Sequence, residues 1–200
     1  MAKKKTMEPT LPRKEKTMAK TVLVLTGSPR KNGNSDMLAD AFIKGASSKG
    51  HETIKFKTAE KVVKGCRACN LCWSAGEACV FEDGFRELSP LLARADVLAI
   101  CSPVYWFGYT AQIKAALDKM YSFMVPAAKQ KLKIKESVLL MSAEDTRRQV
   151  FDGSIGTYRG IVDYLELRDR GMITVDSVNL VGDIVGNKAL QEAEALGASL

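Results

Sequence analysis

The sequence predicts an α/β protein on a doubly wound parallel sheet of five strands in the order 2-1-3-4-5. Three observations carry that expectation. Thr21–Thr26 (TVLVLT), Val97–Cys101 (VLAIC) and Ser137–Met141 (SVLLM) are short apolar runs, the kind buried on both faces of a parallel sheet. Single helix-like segments separate successive strands, which makes the strands parallel and the crossovers right-handed. The two most unusual loops, 27–35 and 102–109, follow the first and third strands. In this order the winding reverses between those strands, and ligands bind outside their carboxyl ends.

The remaining elements follow in chain order. Asn34–Lys49 sets Met37, Leu38, Ala41, Phe42 and Gly45 at helical spacing and stops at Gly50. Glu52–Lys57 alternates, as a strand nearer the sheet edge does. Residues 58–83 show little periodicity and hold four of the five cysteines. Gly84–Arg94 and Ala111–Met124 read as helices on either side of the VLAIC strand. Ile155–Arg170 reads as a helix, Ile173–Leu180 as the last strand and Lys188–Leu200 as a closing helix. There is no internal repeat, so the expected organisation is a basic tail over 1–20 and one domain over 21–200.

Composition excludes several classes of function. An apolar fraction of 46% and a charged fraction of 26% over 200 residues are those of an ordinary globular domain. No apolar run reaches the roughly 18 residues of a membrane span, and no apolar stretch follows the basic N-terminus as a secretory signal would. The expected compartment is therefore the cytoplasm. The net charge of +7 is concentrated in the tail, where Lys3, Lys4, Lys5, Arg13, Lys14, Lys16 and Lys20 face only Glu8 and Glu15. The body carries no basic stripe with interleaved aromatics, which argues against nucleic acid and membrane surfaces as partners.

The first chemical motif is Gly27-Ser28-Pro29-Arg30-Lys31-Asn32-Gly33-Asn34-Ser35, between a buried strand and a helix. A phosphate there gains backbone N–H donors and the favourable end of the helix dipole, and Arg30 can approach a dianion. The spacing is neither a P-loop nor a dinucleotide fingerprint, and Lys55 and Lys57 stand where an acid would hold a ribose. The plain alternative is a βα turn capped by Ser35. The second motif, Cys101-Ser102-Pro103-Val104-Tyr105-Trp106-Phe107-Gly108-Tyr109, crowds four aromatics into a loop at the strand's carboxyl end. A flat ligand ring needs such a slot, although the same aromatics also suit a core cap or a subunit interface.

The pairing of GSPRKNGNS with SPVYW resembles the NAD(P)H-dependent FMN reductase and iron–sulfur flavoprotein families of the flavodoxin-like superfamily, from about residue 20 to the C-terminus. The resemblance implies an FMN oxidoreductase drawing hydride from NAD(P)H and serving a quinone, a flavin or a similar acceptor. It puts phosphate contacts on Ser28, Arg30, Asn32, Asn34 and Ser35, beside Gly33, and the flavin ring against Pro103, Val104, Tyr105, Trp106 and Phe107. A third loop, Ser142–Asp145, is expected to approach the ring through Ser142 and Ala143; the family often has glycines here, where this chain has Ala143, Glu144 and Asp145.

The third motif is Cys66-x2-Cys69-x2-Cys72-x6-Cys79. Thiolates at this tight spacing can grip three corners of one [4Fe–4S] cubane, and six intervening residues let Cys79 turn back to the same cluster. The spacing also matches the compact cysteine motif of iron–sulfur flavoproteins. Unliganded thiols, adventitious bridging and zinc remain open. Three readings compete: a flavin oxidoreductase using NAD(P)H, an iron–sulfur flavoprotein carrying electrons from ferredoxin, and a zinc-stabilised interaction module. The aromatic loop and the long cysteine segment further suggest a homodimer or homotetramer, because an isolated domain leaves both uncovered. Of the smaller features, His51 is expected to be exposed, Lys114 and Asp118 to pair on a helix, and Cys101 to behave as a small core hydrophobe.

Overall fold

A computed structural model of the chain describes residues 18–75 and 78–200. The five strands are β1 (Thr21–Thr26), β2 (Glu52–Lys57), β3 (Val97–Pro103), β4 (Glu136–Ser142) and β5 (Arg168–Val175). They form one parallel sheet in the order β2-β1-β3-β4-β5, as the sequence predicts. Along β1 the side chains alternate between two cores. Val22 and Val24 face α1 (Asn34–Ser48) and α6 (Lys188–Ala198), while Leu23 and Leu25 face α3 (Phe85–Arg94), α4 (Ala111–Lys119) and α5 (Asp152–Tyr164). This period-2 division inside a continuous apolar run is what a strand covered on both faces requires.

α1 and α6 pack backbone to backbone. A Cβ on Gly45 would lie 1.9 Å from the Glu194 carbonyl oxygen, and one on Gly197 would lie 2.1 Å from that of Phe42. Gly45→Ala is therefore expected to cost about 1–3 kcal/mol through overpacking. Urea unfolding checks this, and an unchanged midpoint would show that the helices separate freely.

The structure corrects several boundaries. The last strand runs over Arg168–Val175 rather than Ile173–Leu180, and the helix before it over Asp152–Tyr164 rather than Ile155–Arg170. β5 is an edge strand, so its first half can be charged, and the Arg168–Arg170 run hid it from a reading by apolar pattern. Its register with β4 is irregular beside Gly171, at φ +134°, whose N–H donates to the Asp169 carboxylate. The helix expected over Ala111–Met124 is α-helical only to Lys119 and finishes as a 3₁₀ turn over Met120–Phe123. The aperiodic cysteine segment contains one short helix, α2 (Leu71–Ala75).

Of the expected basic tail, residues 1–17 lie outside the described residues. Lys20 joins the body: its ammonium lies 2.8 Å from Glu136 and 2.7 Å from the Leu200 carbonyl oxygen. His51 is buried rather than exposed, and its Nδ1 accepts the Lys20 N–H at 3.1 Å. Burial, and then the Lys20 charge, pushes its pKa down, so the imidazole stays neutral as an acceptor. Lys114 and Asp118 do pair, at 2.5 Å on the surface of α4. No described helix is long and apolar enough to cross a membrane.

Candidate functional site

A cavity of about 410 Å³ opens at the carboxyl ends of β1, β3 and β4. Its size suits a cofactor or drug-sized ligand. The first wall is the β1–α1 loop, represented by Ser28, Arg30, Gly33, Asn34 and Ser35. α1 starts at Asn34, and its N-cap is Gly33, with no side-chain cap. Ser35 therefore lies in the first turn and does not cap the helix. The orphan N–H groups of that turn are left to a ligand, and a small anion is the ligand they suit. Gly33 keeps the loop close: a Cβ there would lie 2.8 Å from the Ser28 hydroxyl oxygen, which would have to turn away, and 3.3 Å from the Arg30 carbonyl oxygen.

One acid stands at this helix end. Asp36 is buried in the first turn, and Lys55 reaches across from β2 to within 2.6 Å of it. Lys55 also bonds Asp40 at 2.7 Å; burial opposes its charge, but the two carboxylates outweigh that and raise its pKa. The lysine that replaces a ribose-binding acid thus neutralises Asp36, which would otherwise repel a phosphate.

The second wall is the β3–α4 loop, with Pro103, Val104, Tyr105 and Trp106 facing the cavity. Tyr105 and Gly108 exchange backbone hydrogen bonds of 2.9 and 3.1 Å around a two-residue hairpin tip. Trp106 and Phe107 both hold positive φ, 47° and 64°, which is the backbone of a type I′ turn. Asn-Gly normally fills such a turn, and a left-handed L-residue costs roughly 1–2 kcal/mol. The strained hairpin leaves Trp106 95% exposed. It is braced from α5, where a Cβ on Gly153 would meet the Phe107 carbonyl oxygen at 2.4 Å. Tyr109, the last aromatic of the motif, belongs to the core and donates its hydroxyl to the Ser154 carbonyl.

The third wall is the β4–α5 loop, where Ser142, Ala143 and Glu144 line the cavity. Asp145 turns to Arg147; hydrogen bonds from the guanidinium and the Arg147 N–H hold its carboxyl down at about 2. A fourth wall, not expected from the sequence, comes from the segment after β5, through Val178, Asn179 and Val181. The Asn34 side chain bonds the Leu180 carbonyl at 2.9 Å and the Ile184 N–H at 3.2 Å. Arg30 bonds the Asn179 carbonyl at 2.5 Å, and the Asn179 amide bonds Glu144 at 3.1 Å. Asn34 therefore serves the wall with its side chain and can offer a ligand only its backbone. Asn32 and Phe107, both expected at the ligand, stand outside the lining.

The four clustered cysteines face a separate chamber of about 320 Å³. Ala68 and Asn70, at φ 49° and 57°, turn the chain tightly between the first three of them. Cys66 and Cys69 are exposed, while Cys72 and Cys79 are partly covered. Burial raises the pKa of Cys72; a backbone hydrogen bond opposes it, and the neighbouring Cys69, Cys79 and Cys66 add to it. Among the described residues, no three metal-binding side chains close around one point as a single ion needs. The four thiols instead border one space. Cys101 is apart from them, buried on β3, with its thiol 2.8 Å from the Ser35 carbonyl and its pKa pushed up by burial.

The sequence profile of the NADPH-dependent FMN reductase family matches residues 21–150, and the chain belongs to that family of oxidoreductases. An iron–sulfur flavoprotein from Methanosarcina thermophila is 30% identical over 168 residues, 84% of this chain and 83% of the relative. Another, from Archaeoglobus fulgidus, is 29% identical over 187 residues, 88% of this chain and 76% of the relative. The solved NAD(P)H:quinone oxidoreductase from Methanothermobacter marburgensis shares the fold, with a TM-score of 0.68 at 20% identity. That match covers 91% of this chain and 97% of the other. The flavodoxin-like architecture expected from the sequence is thus the one observed, and the family supports FMN as the cofactor.

Proposed function

We propose that the chain binds FMN in the four-walled cavity, takes hydride from NAD(P)H and passes the electrons to a quinone or similar small acceptor. The observation that carries this reading is the meeting of an uncapped helix N-terminus with an aromatic hairpin across one cavity. The first-turn N–H groups, the Ser35 hydroxyl and Arg30 suit the phosphate; Pro103, Val104, Tyr105 and Trp106 suit a flat ring. Bound there, FMN supplies the two-electron chemistry, and the protein supplies position and field. No general base is required for hydride transfer, and the chain's task is to leave one ring face open to the nicotinamide. The exposed hairpin tip bounds that opening. Heat extraction of the purified protein is expected to release FMN, and NADPH oxidation is expected to accelerate with added quinone. Release of FAD, or oxidation indifferent to every small acceptor, would defeat the reading.

A second reading is favoured by the cysteine chamber: Cys66, Cys69, Cys72 and Cys79 hold a [4Fe–4S] cluster that exchanges single electrons with the flavin, with ferredoxin as the electron donor. Two relatives named as iron–sulfur flavoproteins support it. A homodimer or homotetramer, formed in the cytoplasm, fits the exposed Trp106, Phe107 and Trp73. Light scattering at micromolar concentration tests the assembly, and a monomer there would count against it.

A further inference from the structure

We propose that Lys119 is a positioning residue for the charge held by the four cysteines, keeping a buried positive charge at the wall of their chamber while Asp83 fixes it. The inference rests on the cluster reading above. Lys119 ends α4 with its side chain only 3% exposed, and Asp83, its ion-pair partner, is 1% exposed. Lysine is almost never so buried without a partner, and a buried ion pair adds little stability that an apolar pair of similar volume would not. The position of the pair supplies a different reason for it.

Asp83 closes the cysteine segment. Its carboxylate accepts the Lys64 N–H at 3.0 Å, the Phe85 N–H at 2.9 Å and the Lys119 ammonium. Lys64 and Asp83 flank Cys66–Cys79 on either side, so one carboxylate gathers both ends of the segment against α4. Burial opposes its charge, but the Lys119 bond and the two N–H bonds outweigh that and lower its pKa. The ammonium is further confined by the Phe85 ring, 5.5 Å to the centroid.

The two partners face different spaces. Lys119 borders both the cysteine chamber and an adjoining cavity, whereas Asp83 borders only the adjoining cavity. Of the two partners, only the positive member lines the chamber that holds the thiols. The chamber's other charged lining residues are Arg67, which lies over the Phe81 ring, and Asp118, which is already paired with Lys114. An iron–sulfur group on four thiolates gains negative charge when it accepts an electron, and net charge and burial are among the levers on its potential. A buried cation beside it favours the reduced form, and an anion paired with that cation works against it.

The test is a mediated redox titration of the cluster, followed by its spectrum, in protein purified anaerobically. Lys119→Met is expected to lower the midpoint potential and Asp83→Asn to raise it. Each shift should reach about tenfold in the ratio of reduced to oxidised stability, which is 59 mV for one electron. Lys119→Arg should return the wild-type potential. The double variant Asp83→Asn/Lys119→Met avoids an unpaired buried charge and should fold with a potential between those of the single variants. FMN content serves as the control and should not change. Single variants that lose iron together, with an unmoved potential in what remains, would make the pair merely structural and overturn the proposal. A wild-type protein without iron or sulfide would overturn the cluster reading and this inference with it. An intact cluster with unmoved potentials would overturn this inference alone.

Discussion

Replacing any one of Cys66, Cys69, Cys72 or Cys79 by serine is expected to remove the iron and sulfide of the anaerobically purified protein and leave its FMN in place. A serine hydroxyl stays protonated at neutral pH and does not replace a thiolate on iron, so each corner matters equally if the four act as one unit. The cysteine chamber and the four-walled cavity have no lining residue in common, which is why FMN should not follow the cluster. Electron delivery to one-electron acceptors should fall much further than oxidation of the nicotinamide. Iron and sulfide assays, with the visible spectrum before and after FMN extraction, read both halves of this expectation. Serine variants with wild-type spectra would reduce the chamber to unliganded thiols, and the flavin reading would survive.

The central sheet and half of the site were legible in the sequence because both depend on local rules. A strand buried on both faces is apolar through its centre, and β1, β3 and β4 are. The loops after β1 and β3 carry their chemistry in consecutive residues, so GSPRKNGNS and SPVYW could be read without knowing what faces them. What escaped the sequence depends on distant partners. β5 is at an edge and half charged, so its place was assigned too late, and Val178 and Leu180 were taken for strand. Once the strand is moved, those residues become the wall pinned by Asn34 and by Asp183, which accepts the N–H groups of Asn179 and Leu180. Asn34 looked like a phosphate ligand by position, yet its side chain reaches across 146 residues of chain to hold that wall. His51 looked exposed because it follows a helix-stopping glycine, but the segment entering β1 at Lys20 covers it. The Asp83–Lys119 pair joins residues 36 apart, beyond any helical spacing. The left-handed Trp106 and Phe107 had no sequence signal, since a type I′ tip is ordinarily announced by Asn-Gly.

Arg30→Ala combined with Ser35→Ala is expected to weaken FMN binding by about two to four orders of magnitude. A hydrogen bond to a charged group contributes about 1.5–3 kcal/mol, and each factor of ten in affinity is about 1.4 kcal/mol. The structure gives the two residues different duties. Ser35 is buried in the first turn of α1 and lines the cavity, so its loss removes a donor and leaves the fold alone. Arg30 is at the surface and already bonds the Asn179 carbonyl, so its loss also frees the fourth wall from the phosphate loop. The single variants should therefore separate by rate as well as affinity: Ser35→Ala should mainly weaken equilibrium binding, and Arg30→Ala should also speed FMN release. Arg30→Lys keeps the charge but loses the planar fork, and it should restore the salt-dependent part of the affinity without restoring the slow release. FMN fluorescence, quenched when the ring enters the aromatic slot, follows both equilibrium and release. Equal FMN affinity in the double variant and the wild type would place the phosphate elsewhere and remove the ground for assigning the helix N-terminus to it.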